Sequence, residues 1–282
     1  MMGIKNSGSP APEEIAQHYA SGYEECRLNT RTGRLETERT RYFFKRFLPP
    51  APARILDVGG GPGVHACWLA KQGYEIHLID ITPLHVELAK EASLRQPDAP
   101  LASVDIGDAR SLPWNAESID AVLLLGPLYH LTEREDRLKA LREAHRVLKP
   151  GGILIGVGIS RFASAMDGLS RGFLKDALFA GIVNQDLKNG QHRNPTGNPE
   201  YFMRTFFHHP DELRGETADS GFSVTNIYGL EGPGWLVGDF DEWWNSPDYR
   251  ERLLEIARTL ESEPSLIGLN AHLVVVGTKS PL

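Results

Sequence analysis

The chain has 282 residues, 41% of them apolar, and a formal net charge of −7. That length fits one large domain or a domain with a substantial insertion, and the apolar share excludes a disordered chain. The negative balance makes a nucleic-acid backbone a poor partner. Arg27, Arg31 and Arg34 still crowd one segment, either as a solvated face or as a local basic patch. Cys26 and Cys67 are too few for a disulfide framework or a zinc site, which fits a reducing cytoplasm. Residues 1–14 lack the apolar core of a signal peptide, and no apolar run reaches bilayer length. The expectation is a cytoplasmic protein with a frayed start and no membrane partner.

In chain order, residues 12–48 read as helical, stopped by "PPAP" at 49–52. "RILDV" (54–58) reads as a buried strand and "GVHACWLAKQG" (63–73) as a short helix closed by Gly73. "YEIHLID" (74–80) is the second strand. Thr82 as N-cap and Pro83 at the first helical position open a helix that ends near Leu94. "LASVD" (101–105) and the almost wholly apolar "IDAVLLL" (119–125) are the third and fourth strands, the latter covered on both faces. Thr132 and Glu135 fit a capping box, and Leu138, Leu141, Ala144, His145 and Leu148 give a helical stripe that Lys149 and Gly151 close. "GILIGVGI" (152–159) is the fifth strand. This alternation implies parallel crossovers and a sheet with helices on both faces.

After residue 160 the rhythm loosens. A first insert covers 161–209. A helix in "HPDELRGETADSGF" and a strand in "SVTNIYGL" follow, then a second insert over 231–268 with a helix at 248–262. "AHLVVVGT" (271–278) is the last strand. The chain thus divides into a helical N-terminal cover (1–50) and a main domain (51–282) whose two inserts form a lid.

The chemistry starts at "ILDVGGGPGV" (55–64). A strand that ends in a glycine turn and feeds a helix sets bare backbone N–H groups and a helix N-terminus at the sheet's carboxyl edge, as a ligand cradle does. Asp80 ends the second strand, 21 residues after Gly59. There it can accept two hydrogen bonds from a ribose diol, or cap the helix at Pro83. The turn departs from G-x-G-x-x-G because Val64 stands at the last glycine's place, so the pyrophosphate signature is imperfect. Behind the third strand, in "GDARSLPW" (107–114), Asp108 and the Ala109 N–H can read an adenine edge, with loop capping as the alternative for Asp108.

Taken together, "ILDVGGGPG", "HLID", "GDARSLPW", "IDAVLLLGPLYHL" and "EAHRVLKPGGILI" resemble the class I S-adenosylmethionine-dependent methyltransferases, especially bacterial small-molecule members, over about residues 50–160 and more loosely to the end. The resemblance implies a Rossmann-like α/β fold with a seven-stranded, mostly parallel sheet whose last strand is antiparallel. It implies that Asp57, Gly59, Gly61 and Gly63 shape the turn under the methionine portion. Asp80 would bind the ribose with Ile81 against the adenine, Asp108 and Ala109 would read the adenine, and Leu125 and Gly126 would lie near the sulfonium. The family often has Glu where Asp57 stands. The implied cofactor is S-adenosyl-L-methionine, with S-adenosyl-L-homocysteine as product, and the partner a small organic acceptor.

Methyl transfer from a sulfonium needs in-line positioning and a dry site, and a base only when the nucleophile must lose a proton. No strict catalytic motif stands out. Tyr129 and His130 follow Gly126 where an acceptor would sit, with His130 a base or orienter, or a packing residue. Tyr19 and Tyr23 either cover the cofactor or pack a helix, and Arg34 could meet the methionine carboxylate. His208 and His209 lack a matching carboxylate or cysteine cluster, so no metal is expected. Trp235, Trp243 and Trp244 either line an apolar acceptor pocket or fill the core beneath the second insert. An NAD(P)-dependent oxidoreductase and a cofactor-binding protein without methyl transfer are the competing readings.

Overall fold

Strand residues with opposite facing build two core layers from one sheet. A computed structural model describes residues 31–280; the expectations for Tyr19, Tyr23, Cys26 and Arg27 lie outside that range. The first elements are α1 (Arg31–Phe47), β1 (Arg54–Val58), α2 (Val64–Lys71), β2 (Glu75–Asp80), α3 (Pro83–Leu94), β3 (Ser103–Ile106) and β4 (Ile119–Leu124). Next come α4 (Pro127–His130), α5 (Arg134–Val147), β5 (Leu148–Ser160), α6 (Ala163–Arg171), α7 (Ala177–Asn189), β6 (Gln191–His192) and β7 (Thr205–His208). The chain closes with α8 (Pro210–Asp219), β8 (Phe222–Gly229), α9 (Phe240–Asn245), α10 (Pro247–Leu260) and β9 (His272–Lys279).

Leu56, Val122, Leu154 and Val275 face one layer, where Leu141 and Ala144 of α5 and Leu213 of α8 cover them. Ile55, Leu123, Ile155 and Val274 face the other, against Leu69 of α2, Ala89 of α3 and Phe43 and Phe44 of α1. Burying each such side chain is worth roughly 1.5–3 kcal/mol. Helix α1 therefore shares the core of the sheet.

β1 pairs in parallel with β2 and β4, β2 with β3, and β4 with β5. β9 runs antiparallel to both β5 and β8. The expected reversal of the last strand is present. The strand count is larger than seven: among the described residues the sheet has nine strands, because β6 and β7 come from the first insert. β9 occupies one edge of β5 up to Ile159, so β7, paired in parallel at Ile159 and Ser160, takes the edge that β4 leaves after Gly156.

Local expectations fail in two places around α5. The helix has Glu133, not Thr132, at its N-cap, without a side-chain cap. The Thr132 carbonyl instead accepts from Nη1 of Arg137 at 2.9 Å and from Gln191 at 3.0 Å. A buried guanidinium needs acceptors more than the helix end needs a box. At the other end, Leu148 is already extended and paired with Ile119, so the helix stops at Val147 and Gly151 (φ +78) sits in a strand irregularity.

Arg137 and Glu216 form a fully buried fork at 2.8 and 2.7 Å. Burial opposes the Glu216 charge, but Arg137 and His208 outweigh it and hold the carboxyl at about 2. His208 lies against that pair and burial pushes its ring pKa down, while His209 caps α8 in a capping box with Glu212. Both histidines are thus structural. In the second insert, Trp243 and Trp244 pack with Phe240, Leu253 and Leu254 onto Leu35 of α1, and Trp235 is buried with its indole N–H donated to the Leu269 carbonyl at 2.9 Å.

Candidate functional site

All five parallel strands from β3 to β5 stop at one edge, and loops from that edge line a cavity with about 1200 Å³ of empty space, its open mouth included. Asp57, Gly59, Gly61, Asp80, Ile81, Asp108, Ala109, Leu125, Gly126, Tyr129 and His130 all line it. Gly63 lies one step behind the wall, as the left-handed N-cap of α2 (φ 82). Arg34 is not in the lining. It pairs with Asp241 and its guanidinium lies over the Phe240 and Trp244 rings, 5.7 and 5.9 Å from their centroids. The expected carboxylate contact from Arg34 is corrected accordingly: the second insert claims its charge.

The turn itself differs from a row of bare N–H groups. The Gly59 and Gly60 amides donate to the Ile79 carbonyl, Gly61 to the Asp80 carboxylate at 2.9 Å, and Gly63 to the Gly60 carbonyl. What the turn offers is closeness. Gly59 (φ +69) has no room for a Cβ, which would lie 2.8 Å from Pro127, and at Gly61 (φ +55) a Cβ would project into open space. Both have the left-handed backbone that glycine tolerates.

Two carboxylates at the turn have opposite electrostatics. Asp80 accepts from the Thr82 amide at 2.8 Å, from Gly61, and from the His85 ring at 3.2 Å. Burial would raise its pKa, but these donors prevail and hold it below the ordinary range. Asp80 lines the cavity and also anchors the start of α3 through the Thr82 amide. Thr82 is the N-cap residue, with no side-chain bond of its own. Asp57 is the reverse. It is 1% exposed, neither carboxylate oxygen has a hydrogen-bond partner among the described residues, and burial, with Asp80 nearby, pushes its pKa up to about 7.

At the far end, Asp108 is forked by Arg110 at 2.6 Å and accepts the Arg110 amide at 2.8 Å, which keeps its pKa low against the effect of burial. Arg110 also reaches Asp136 at 3.1 Å. The Tyr129 and His130 rings, on the short helix α4, lie tilted at 55° with 4.7 Å between centroids, and both residues line the cavity.

Sequence reasoning missed Glu36, Arg110, Val157 and His272 in the lining. Glu36 carries no signal, being one charge of many on α1. His272 had one: an antiparallel last strand must begin at the ligand edge. Glu36, His272 and Glu231 bring ligand-type atoms within 4.8 Å of one another.

Residues 56–156 match a family model described as a methyltransferase domain. A methyltransferase of Streptomyces halstedii is 31% identical over 116 residues, 41% of each chain. An S-adenosyl-L-methionine-dependent Diels-Alderase of Talaromyces variabilis is 28% identical over 172 residues, 50% of this chain and 57% of its own. The chain thus spans about half the length of these curated relatives. A solved S-adenosylmethionine-dependent methyltransferase from Methanosarcina mazei shares the fold at TM-score 0.56 and 20% identity, covering 85% of this chain and 98% of that one. Residues 56–156 thus match a methyltransferase domain, and the fold is the one that solved S-adenosylmethionine-dependent methyltransferases have. Among the described residues no helix is long and apolar enough to cross a membrane.

Proposed function

We propose that the protein transfers the sulfonium methyl of S-adenosyl-L-methionine to a small organic acceptor, by in-line displacement. The observation that carries this reading is the Asp57 carboxylate: buried, without a hydrogen-bond partner, at the wall of a cavity floored by side-chain-free backbone. A buried anion left unpaired is costly, and a ligand with a cationic ammonium and sulfonium supplies the missing charge. The residues therefore fit the cofactor. Asp57 and the turn from Gly59 to Gly61 would hold its amino-acid end. Asp80, Ile81 and the Asp108–Ala109 loop would hold the nucleoside, and Leu125 and Gly126 the sulfur's surroundings. When bound, the sulfonium supplies an activated methyl group. The protein's share is to seat the acceptor, exclude water and present carbonyl oxygens and aromatic faces. Tyr129 and His130 belong to that share. The reading takes a small molecule as the acceptor; it invokes no membrane or nucleic-acid partner, and it puts the place of action in the cytoplasm.

Calorimetry with S-adenosylhomocysteine tests the reading: binding near micromolar, about −8 kcal/mol, is expected, and none with NAD. Methyl transfer over a panel of small acceptors is the second arm. If His130→Ala then leaves kcat/KM unchanged, the base or orienter role of His130 is lost. A second reading, cofactor binding without methyl transfer, is favoured by the Diels-Alderase relative; binding without turnover of any acceptor would select it. The NAD(P) reading is disfavoured by Val64 at the last glycine position.

A further inference from the structure

We infer that Arg110 is a positioning residue that sets the base preference of the cavity. By forking Asp108 it leaves that carboxylate one open acceptor position, which suits the amino group of adenine and refuses a 6-oxo purine. The inference rests on the reading that the Asp108–Ala109 loop holds the cofactor's nucleoside. The local sequence puts the pair together. Residues 108–111 make a tight turn, in which the Ser111 amide donates to the Asp108 carbonyl at 3.0 Å and the two residues bridge. Within that turn the Arg110 amide donates to the Asp108 carboxylate at 2.8 Å, and the Arg110 side chain doubles back on the same group.

Counting donors shows what is left. Oδ1 accepts from the Arg110 amide and from Nε, at 2.8 and 3.0 Å. Oδ2 accepts from Nη2 at 2.6 Å and has only the longer half of the shared Nε contact, at 3.2 Å. Each carboxylate oxygen offers about two acceptor positions, so Oδ1 is filled and Oδ2 keeps one. Asp108 and Arg110 both line the cavity, and the Asp108 side chain is 34% exposed. The guanidinium also holds the carboxyl in its ionised form, so the open position accepts a proton and offers none. An adenine amino group supplies the N–H that this position takes. A keto oxygen in the same place brings no donor and meets a negative charge.

The loop does not depend on Arg110 for its place. Its backbone is docked on α5 by other groups: the Leu112 amide donates to Glu143 at 2.8 Å, and Arg146 donates to the carbonyls of Leu112 and Trp114, both at 2.8 Å. Arg110 has its own second anchor in Asp136 of α5, at 3.1 Å, so the guanidinium is itself held while it holds the carboxylate. Without the Arg110 side chain the loop stays docked, Oδ2 loses its protein donors, and the carboxylate can turn and take water. Such a group no longer meets the base in one fixed orientation, and the ligand must order it on binding. A lysine would keep the charge but has no planar fork to fix the carboxylate.

Calorimetry on the full chain tests this, with S-adenosylhomocysteine and its 6-oxo analogue S-inosylhomocysteine as the two probes. The wild type is expected to prefer the adenine compound by roughly 10- to 100-fold, the discrimination that well-placed hydrogen bonds to a base edge give. In Arg110→Ala that preference should fall by about fivefold or more, through weaker binding of the adenine compound, while the 6-oxo analogue binds as before or more tightly. Arg110→Lys should behave like Arg110→Ala. A merely structural loss would weaken both probes alike and leave their ratio where it was. Equal binding of the two probes by the wild type, a ratio unmoved in Arg110→Ala, or a ratio fully restored in Arg110→Lys overturns the inference. Absence of binding of both probes to the wild type overturns the cofactor reading itself, and this role with it.

Discussion

The two ends of the cavity are built by different rules. At the β1–β3 end, each cavity-facing group sits within a few residues of a strand's carboxyl end: Asp57 just before the end of β1 and the glycines that follow it, Asp80 at the end of β2, Asp108 after β3. At the β5–β9 end, the lining comes from α1, α4, β5 and the start of β9, a set whose first and last members lie more than two hundred residues apart in the chain. The first end is local and reads as a motif; the second is assembled only by the tertiary fold.

The largest effect is expected at Arg137, which ties α5 to Glu216 of α8 and to the carbonyls of Leu131 and Thr132 behind α4. Arg137→Ala leaves Glu216 charged and buried beneath β7, and a loss of about 3–5 kcal/mol in urea unfolding is expected. Because the folded Glu216 carboxyl is held at about 2, against an ordinary 4.5, its pairing stabilises the fold above about 4.5 and is lost as pH falls toward 2. The variant should therefore gain on wild type in acid. A deficit that does not change with pH would contradict the pairing.

Asp57→Asn tests the local end, and with opposite sign. Asp57 is raised from 3.8 to about 7, so the folded state binds the proton more tightly than the unfolded one. Wild-type stability is then progressively lost as pH rises from about 4 to about 7. The ligand-free variant should be more stable than wild type above pH 7, by up to ~4 kcal/mol, and should bind S-adenosylhomocysteine more weakly. Thermal unfolding at acid and alkaline pH, with and without the ligand, reads both effects. A variant less stable than wild type at alkaline pH would show that Asp57 is already paired.

Asp80→Ala should weaken S-adenosylhomocysteine binding by more than about 1.5 kcal/mol, the worth of charge-assisted hydrogen bonds. Part of any loss in stability will come from α3, whose first turn Asp80 anchors through Thr82. Arg34→Ala is the smallest change. Its partner Asp241 is largely exposed, so less than about 1 kcal/mol of stability should go, and ligand affinity should move less than twofold. A tenfold fall in affinity would restore Arg34 to the site.

Much of the architecture was legible because strand and helix periods alternate cleanly from Arg54 to Ser160. The glycine turn, Asp80 and Asp108 were legible for the same reason: the residue that ends a parallel strand is the residue at the ligand edge. What escaped depends on distance along the chain. Nothing in "TRTGRLETE" marks Glu36 as facing His272, and the claim of Asp241 on Arg34 lies in the second insert. Thr132 misled because a local box is worth about 1 kcal/mol, less than the need of buried Arg137 for acceptors. The strands β6 and β7 escaped because they are two and four residues long, and β7 joins the sheet through β5 and not through its chain neighbour β6.

The reversed direction of β9 has a consequence for how this protein can diversify. A connection between parallel strands must travel the full depth of the sheet and come back, so its length is bound to the fold. The link from Leu230 to Ala271 has no such duty, since it departs and returns at one rim, its two ends tied by the bond between the Leu230 amide and the His272 carbonyl. Residues can be added to it or trimmed from it while strand order stays as it is. Its helices, which pack on Leu35 of α1, can therefore be exchanged with Glu231 and His272 at its two roots left in place.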